Sequence, residues 1–290
     1  MSPNAAADRL PVLDVHHHVG SAFLALGGEI DAKPPASGSG SASRAVPSPA
    51  DLELASRLEI MDGAGVDRAI VIPGHGYLRP RGLPDTMAEN DLIARYRDRL
   101  SARFPAAVGI VEPAYGDACF AELERCKHEL GLAGISFHTR FQGVSLDSRY
   151  VLAYVAKMAE LGLLPVVHAM NETPEEALWK LAVLARSIPD TPVLALDAFG
   201  SYEATRECFF IAEVAPNLCF DTSLSYNFDF IEDFARQFGA ERVVFGTDLY
   251  SHPVGRRISH LLPQIRASAL SDEQKRLILA DNARRLFGVD

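Results

Sequence analysis

Near its start the chain reads Asp14-Val15-His16-His17-His18, directly behind an apolar run. On a β-strand alternate side chains share a face, so His16 and His18 project together while His17 turns into the wall behind them. Two imidazoles converging from a strand end begin a site for zinc or a similar divalent ion. His168 closes the run Leu163-Leu-Pro-Val-Val-His168, and Asp248 closes Val243-Val-Phe-Gly-Thr-Asp248. Three neutral imidazoles and one carboxylate satisfy such an ion and leave room for a water or substrate oxygen. Asp248 would then serve twice, as ligand and as proton acceptor.

Further polar residues fall at expected strand ends. His75 and Tyr77 follow the second strand in Pro73-Gly-His-Gly-Tyr77, where the glycines let the backbone bend sharply. His138 and Arg140 close the fourth. Arg140 is a candidate for a forked clamp on a carboxylate or other oxyanion. His252 follows Asp248 by four residues and is a candidate substrate contact. Asp221, at the end of the seventh strand, is expected to brace the rim by hydrogen bonds.

These positions demand an architecture in which strand ends far apart in sequence share one rim. Short apolar runs alternate with longer amphipathic stretches eight times. Strands are expected at 12–18, 68–73, 107–112, 133–138, 164–168, 193–197, 218–222 and 242–248, most of them apolar on both faces, as in a covered parallel sheet. Helices are expected at 50–63, 85–103, 117–130, 148–162, 173–187, 202–214, 228–238 and 272–286, with Asp117, Thr173 and Ser271 as N-caps. Eight such units make a single (β/α)8 barrel domain spanning residues 1–290, whose catalytic groups gather at the C-terminal ends of the strands. A doubly wound open sheet would carry a glycine-rich phosphate turn after the first strand, and Gly20, Gly27 and Gly28 have the wrong spacing. A Pro/Gly/Ser-rich insertion at 31–49 lies between the first strand and first helix. It reads as a disordered surface loop or as a lid over substrate.

Of the 290 residues, 48% are hydrophobic, and the net charge is −10. That charge, with no basic run beyond pairs such as Arg256-Arg257, argues against a nucleic-acid partner. No apolar stretch approaches bilayer-spanning length, and Met1–Arg9 lacks the core of a signal peptide. Cys119, Cys126, Cys208 and Cys219 form no CxxC pair and read as reduced structural thiols, so a cytoplasmic protein is expected. The GxSxG elbow and the P-loop are both missing from the sequence.

Taken in order, the motifs resemble the amidohydrolase superfamily, in its amidohydrolase-related branch of small-acid decarboxylases and hydrolases of cyclic acids and lactones. The likeness runs from Asp14–His18 through Asn90-Asp91, Arg103-Phe-Pro105, Gly134–His138, Phe141-Gln-Gly143, Leu164–His168, Phe220–Ser223 and Phe245–Asp248 to Asn282–Phe287. It implies one divalent ion held by His16, His18, His168 and Asp248, commonly zinc and sometimes manganese. Relatives often pair, which makes a homodimer the assembly to look for. One departure stands out. The family usually ends strand six with a histidine, and the matching stretch Leu196-Asp-Ala-Phe-Gly200 offers Asp197. A carboxylate there could bind the ion, take over proton transfer, or repel an anionic substrate.

Three functions fit these residues. In the first, a metal-activated water surrenders its proton to Asp248 and attacks a small-molecule ester, lactone or amide, with His75, His138 or Arg140 stabilising the oxyanion. In the second, the site decarboxylates an aromatic or unsaturated acid without oxidation. In the third, the barrel is metal-free or non-catalytic. The negative charge of Asp197 favours hydrolysis.

Overall fold

The computed structural model describes residues 9–20, 48–74, 81–251 and 261–290. Eight parallel strands carry it: β1 (Leu13–Val19), β2 (Arg68–Pro73), β3 (Val108–Ile110), β4 (Gly134–Phe137), β5 (Leu164–His168), β6 (Val193–Leu196), β7 (Leu218–Asp221) and β8 (Val243–Val244). They form two ladders, β1–β2 and β3 through β8 in chain order. Backbone bonds join the ladders at both seams. On one side Ala69 N donates to Arg103 O at 2.9 Å and Val71 bridges to Ala107. On the other, Val15 N donates to Phe245 O at 3.0 Å and His18 N to Leu249 O at 2.7 Å. The architecture is the (β/α)8 barrel expected from the alternation.

Side chains sort by strand face. Leu13, Val15, Ile70, Ile72, Val108, Val166, Leu194, Leu196 and Val244 pack together as one apolar cluster inside the ring. Ala280, Ala283 and Phe287 of the C-terminal helical segment join that cluster. The opposite faces, including Val12, Ala69, Val71, Ile135, Val167 and Ala195, pack against the helices in a larger cluster. Both faces are buried because helices cover one and neighbouring strands the other, which is why the strands are apolar almost throughout.

Two strands are shorter than their apolar runs. Beyond Ile110 the ladder role passes to side chains. Asn90 accepts from Ile110 N and donates to Ile110 O, and Gln142 Nε2 donates to Val111 O. Pro113 then opens a 3-10 turn. Beyond Val244 the chain leaves the ladder, with Phe245 N donating to Ile278 O at 2.9 Å and Thr247 N to Asp14 Oδ1 at 3.1 Å.

The helices Tyr202–Val214 and Phe228–Phe238 keep the expected limits. Ser271 caps its helix with a reciprocal bond to Gln274, whereas Thr173 precedes the 3-10 segment Pro174–Glu176 without a side-chain cap bond and Asp117 lies inside the 3-10 segment Pro113–Cys119. The last helical stretch contains a π segment, Leu277–Asp281, that its periodicity does not reveal. Short helices at Thr139–Gln142 and Leu261–Ala267 were also not expected. Of the 31–49 insertion, 31–47 lies outside the described residues, and Ser48 caps the helix Pro49–Ala64. The four cysteines are buried free thiols. Among the described residues no helix is long and apolar enough to cross a membrane.

Candidate metal centre

Strand β1 contains an extra residue. Asp14 pairs with Ala69 and His17 with Val71, so three steps along β1 match two along β2. Leu13 and Val15 already face the interior cluster, and strict alternation would therefore send His17 inward. The bulge resets the parity, so that His16 and His18 face in. Asp14 staples it: Oδ1 accepts from His16 N at 2.9 Å and from Thr247 N at 3.1 Å, and Oδ2 accepts from Thr247 Oγ1 at 2.6 Å.

Inside the rim, His16 Nε2 lies 2.9 Å from His18 Nε2, and His168 Nε2 lies 3.4 Å from His18 Nε2. Asp248 Oδ1 stands 3.4 Å from His16 Nε2 and 3.6 Å from His18 Nε2. Two ligand atoms about 2.1 Å from a shared ion are about 3.0 Å apart at a right angle and about 3.4 Å apart at the tetrahedral angle. The observed spacings fall in or close to that range.

The opposite ring nitrogens are all committed. His18 Nδ1 meets Pro73 O at 2.9 Å, and His168 Nδ1 meets Phe137 O at 3.0 Å. A carbonyl only accepts, so both Nδ1 atoms carry the proton and both Nε2 atoms present lone pairs. His16 Nδ1 faces Asp221 Oδ2 at 2.8 Å, the carboxylate–histidine pairing that orients metal ligands. Nε2 atoms this close need a proton or a metal cation between them, and the convergence of three Nε2 atoms with one carboxylate oxygen fits a divalent ion.

Around His16 the charge is strongly negative. Burial opposes its protonation, but the carboxylates of Asp248, Asp221 and Asp197 outweigh burial and hold its pKa up at about 10 in the metal-free chain. Burial pushes His18 well below its ordinary value, and a charged His16 lowers it further. Asp197 does reach this region, but its Oδ1 lies on the Nδ1 side of His16, 4.0 Å away, and accepts from Ser223 Oγ at 2.8 Å. Burial raises its pKa. Asp221 is a brace, as expected: its Oδ1 accepts from Asp197 N at 2.9 Å and, at 2.7 Å, shares the single Ser223 hydroxyl hydrogen with Asp197. Asp197 and Asp248 both adopt left-handed backbone, with φ of 67° and 58°, a conformation aspartate tolerates better than most residues. A Cβ at Gly246 would stand 2.5 Å from Asp221 Oδ2 and 3.1 Å from His16 Cβ, so only glycine lets the exit from β8 pass so close.

His138 stacks face to face on His168, with centroids 4.2 Å apart. Its Nδ1 is 2.6 Å from the buried Glu176 Oε1. Arg140 is half-buried beside the same carboxylate, with Nε 3.6 Å from Glu176 Oε2 and the guanidinium over the Phe141 ring. Glu176 was not foreseen, and neither was Tyr250, whose ring lies 4.3 Å from that of His18. Glu176 sits in a 3-10 turn, 38 residues from its histidine, with no local pattern to flag it. Tyr250 could have been suspected from standing two residues past Asp248. His75, Tyr77 and His252 lie outside the described residues.

Residues 13–289 match the family model described as Amidohydrolase. Among solved structures, 5-carboxyvanillate decarboxylase from Sphingomonas paucimobilis is similar at 15% identity and a TM-score of 0.68, covering 97% of this chain and 100% of that one. A dihydroxybenzoic acid decarboxylase from Polaromonas sp. JS666, with bound manganese and the inhibitor 2-nitroresorcinol, gives 17% and 0.65, covering 97% of each chain. A probable 2-pyrone-4,6-dicarboxylic acid hydrolase from Acinetobacter baumannii, with citric acid bound, gives 15% and 0.61, covering 96% of this chain and 99% of that one. Identities this low speak to the fold. No curated protein sequence matches the chain.

Proposed function

The chain belongs to the amidohydrolase family of enzymes, and from that premise we propose that it is a divalent-metal-dependent hydrolase of a small ester, lactone or amide. One observation carries this reading: three Nε2 atoms and one Asp248 oxygen converge while the Nδ1 atoms of all three histidines are engaged elsewhere. His16, His18, His168 and Asp248 would hold the ion, manganese or zinc. When bound, it supplies Lewis-acid polarisation of a carbonyl oxygen and makes water more acidic.

The remaining chemistry belongs to the chain. Asp248 is the base: its carboxylate takes a proton from water as the oxygen adds to the carbonyl carbon, and gives it to the departing alkoxide or amine. His138 is held in one orientation by Glu176, so that in its imidazolium form Nε2 is the atom that donates to a developing oxyanion. Arg140 supplies the neighbouring cation. Asp197 and Asp221 add negative charge behind His16, which favours an uncharged carbonyl compound over a carboxylate. His75, Tyr77 and His252 complete the proposed substrate contacts.

Decarboxylation of a small aromatic or unsaturated acid is the second reading, favoured by the decarboxylases among the similar folds. Arg140 would then hold the carboxylate, and His138 would protonate carbon. A panel of lactones, esters, amides and aromatic acids, tested with manganese- or zinc-loaded protein, separates the two. Proton release from esters or lactones, or amine release from amides, without carbon dioxide supports hydrolysis; carbon dioxide release overturns it in favour of the second reading. Activity untouched by chelator would remove the metal from both.

A further inference from the structure

The outer face of β1 carries a second buried polar cluster that the proposed chemistry does not use. Arg57, from the helix Pro49–Ala64, donates through Nη2 to His18 O at 2.7 Å, Ser251 Oγ at 2.9 Å and Glu53 Oε1 at 2.9 Å. Glu53 also accepts from Ser251 Oγ at 2.7 Å and Tyr96 OH at 2.7 Å. Arg57 Nη1 lies 3.3 Å from His17 Nδ1, and His17 Nε2 lies 2.8 Å from Asp14 Oδ2. Arginine has only donors, so His17 accepts at Nδ1 and donates from Nε2 to Asp14. This is the opposite tautomer from that of His18 and His168. All of Asp14, His17, Glu53, Arg57 and Ser251 are buried.

The cluster ties together three segments that must hold register for the ligands to converge. Asp14 and Arg57 grip β1 at His16 N and His18 O. Asp14 also grips Thr247, immediately before Asp248, through both its N–H and its hydroxyl. Ser251 grips Gly20, with Ser251 N donating to Gly20 O at 3.1 Å and Gly20 N to Ser251 Oγ at 2.8 Å. The chain on either side of Asp248 is thereby fastened to the chain on either side of His16 and His18. The 3.4 Å and 3.6 Å gaps between Asp248 Oδ1 and the two Nε2 atoms are spanned by this clamp.

We propose that His17 is a positioning residue: through Asp14 and Arg57 it sets the separation between Asp248 and the His16–His18 pair, and so tunes metal affinity without touching the ion. The proposal rests on the metal reading above. Partners one shell behind metal ligands are commonly worth about 10- to 100-fold in affinity, and His17 acts one step further back. A loss of about tenfold is therefore expected.

The test is a competitive Mn2+ titration of wild type, His17→Leu, Thr247→Val, Thr247→Ser and the His17→Leu/Thr247→Val double variant, with melting temperatures alongside. Thr247→Val exchanges one hydroxyl for a methyl at nearly constant shape, so it reports even where His17→Leu folds poorly. The clamp predicts that Thr247→Val and His17→Leu each raise Kd about tenfold and that Thr247→Ser restores it. It further predicts that the double variant loses less than the product of the single losses, because both act through Asp14. The electron paramagnetic resonance spectrum of bound Mn2+ should also change in the single variants. A Kd within twofold of wild type in both singles, with only the melting temperature lowered, overturns the proposal and leaves the metal reading standing. Wild type that binds neither Mn2+ nor Zn2+ overturns the metal reading itself.

Discussion

The two halves of the barrel interior are built on opposite terms. Below, the ring is filled by Leu13, Val15, Ile70, Val108, Val166 and Leu194, with Phe287 packed against them. Above, within about a turn of the same strands' C-terminal ends, it holds His16, His18, His138, His168, Asp197, Asp221 and Asp248, all buried. The lower half gains free energy simply by excluding water. The upper half keeps titratable groups out of water, which costs free energy unless each finds a partner. Folding and the proposed function thus fall to adjacent layers of the same strands, and each layer is expected to be perturbed largely alone.

The largest effect that would break this division belongs to the upper layer. His168→Ala should lower kcat/KM about a thousandfold or more, roughly 4 kcal/mol of transition-state stabilisation, and reduce bound metal by elemental analysis. Its melting temperature should change little. A lowered melting temperature with kcat/KM and metal content unchanged would reverse the assignment. Next comes the lower layer: Leu194→Ala should cost about 2–5 kcal/mol in urea unfolding and leave the metal Kd unchanged. A variant equally stable but poor in metal would mean the layers are not separable. A smaller effect should come from Asp221→Asn, which keeps the shape and removes the charge behind His16. Metal affinity should fall about 10- to 100-fold with intact circular dichroism.

The smallest sharpens the comparison through pH. Burial raises the Glu53 carboxyl, but the contacts with Arg57, Ser251 and Tyr96 outweigh it and hold the group below its ordinary value. A carboxyl depressed in the folded state stabilises the protein above its unfolded pKa of about 4.3, and that stabilisation is lost as pH falls through the folded value. The stability deficit of Glu53→Gln should therefore be largest near neutrality and shrink as pH falls below about 4. An unchanged deficit at pH 3 would show that the pair contributes packing alone.

Much of this was readable in residue order, and the rest was hidden for identifiable reasons. The strands could be placed because a covered parallel strand must be apolar on both faces. Pairing His16 with His18 needed only alternation between neighbours, and that pairing holds above the bulge. The bulge itself is silent, since nothing in Leu13-Asp-Val-His16 marks the extra residue that lets Val15 and His16 face the same way. Asp197 falls at a strand end, as inferred, but the left-handed turn that swings its Oδ1 to the far side of His16 is a property of the folded rim. Glu176 and Arg57 escaped notice because their partners are distant: the significance of a glutamate in a loop or an arginine on a helix appears only once His138 or His18 is beside it.

The extra residue in the first stave also behaves as a reading frame for side chains. Flattening the bulge with every residue kept would restore strict two-residue alternation, withdraw two imidazoles from the cavity and substitute the single one now facing Arg57. Forming or flattening that bulge therefore exchanges one set of inward-facing imidazoles for another with no change in amino-acid composition at the rim.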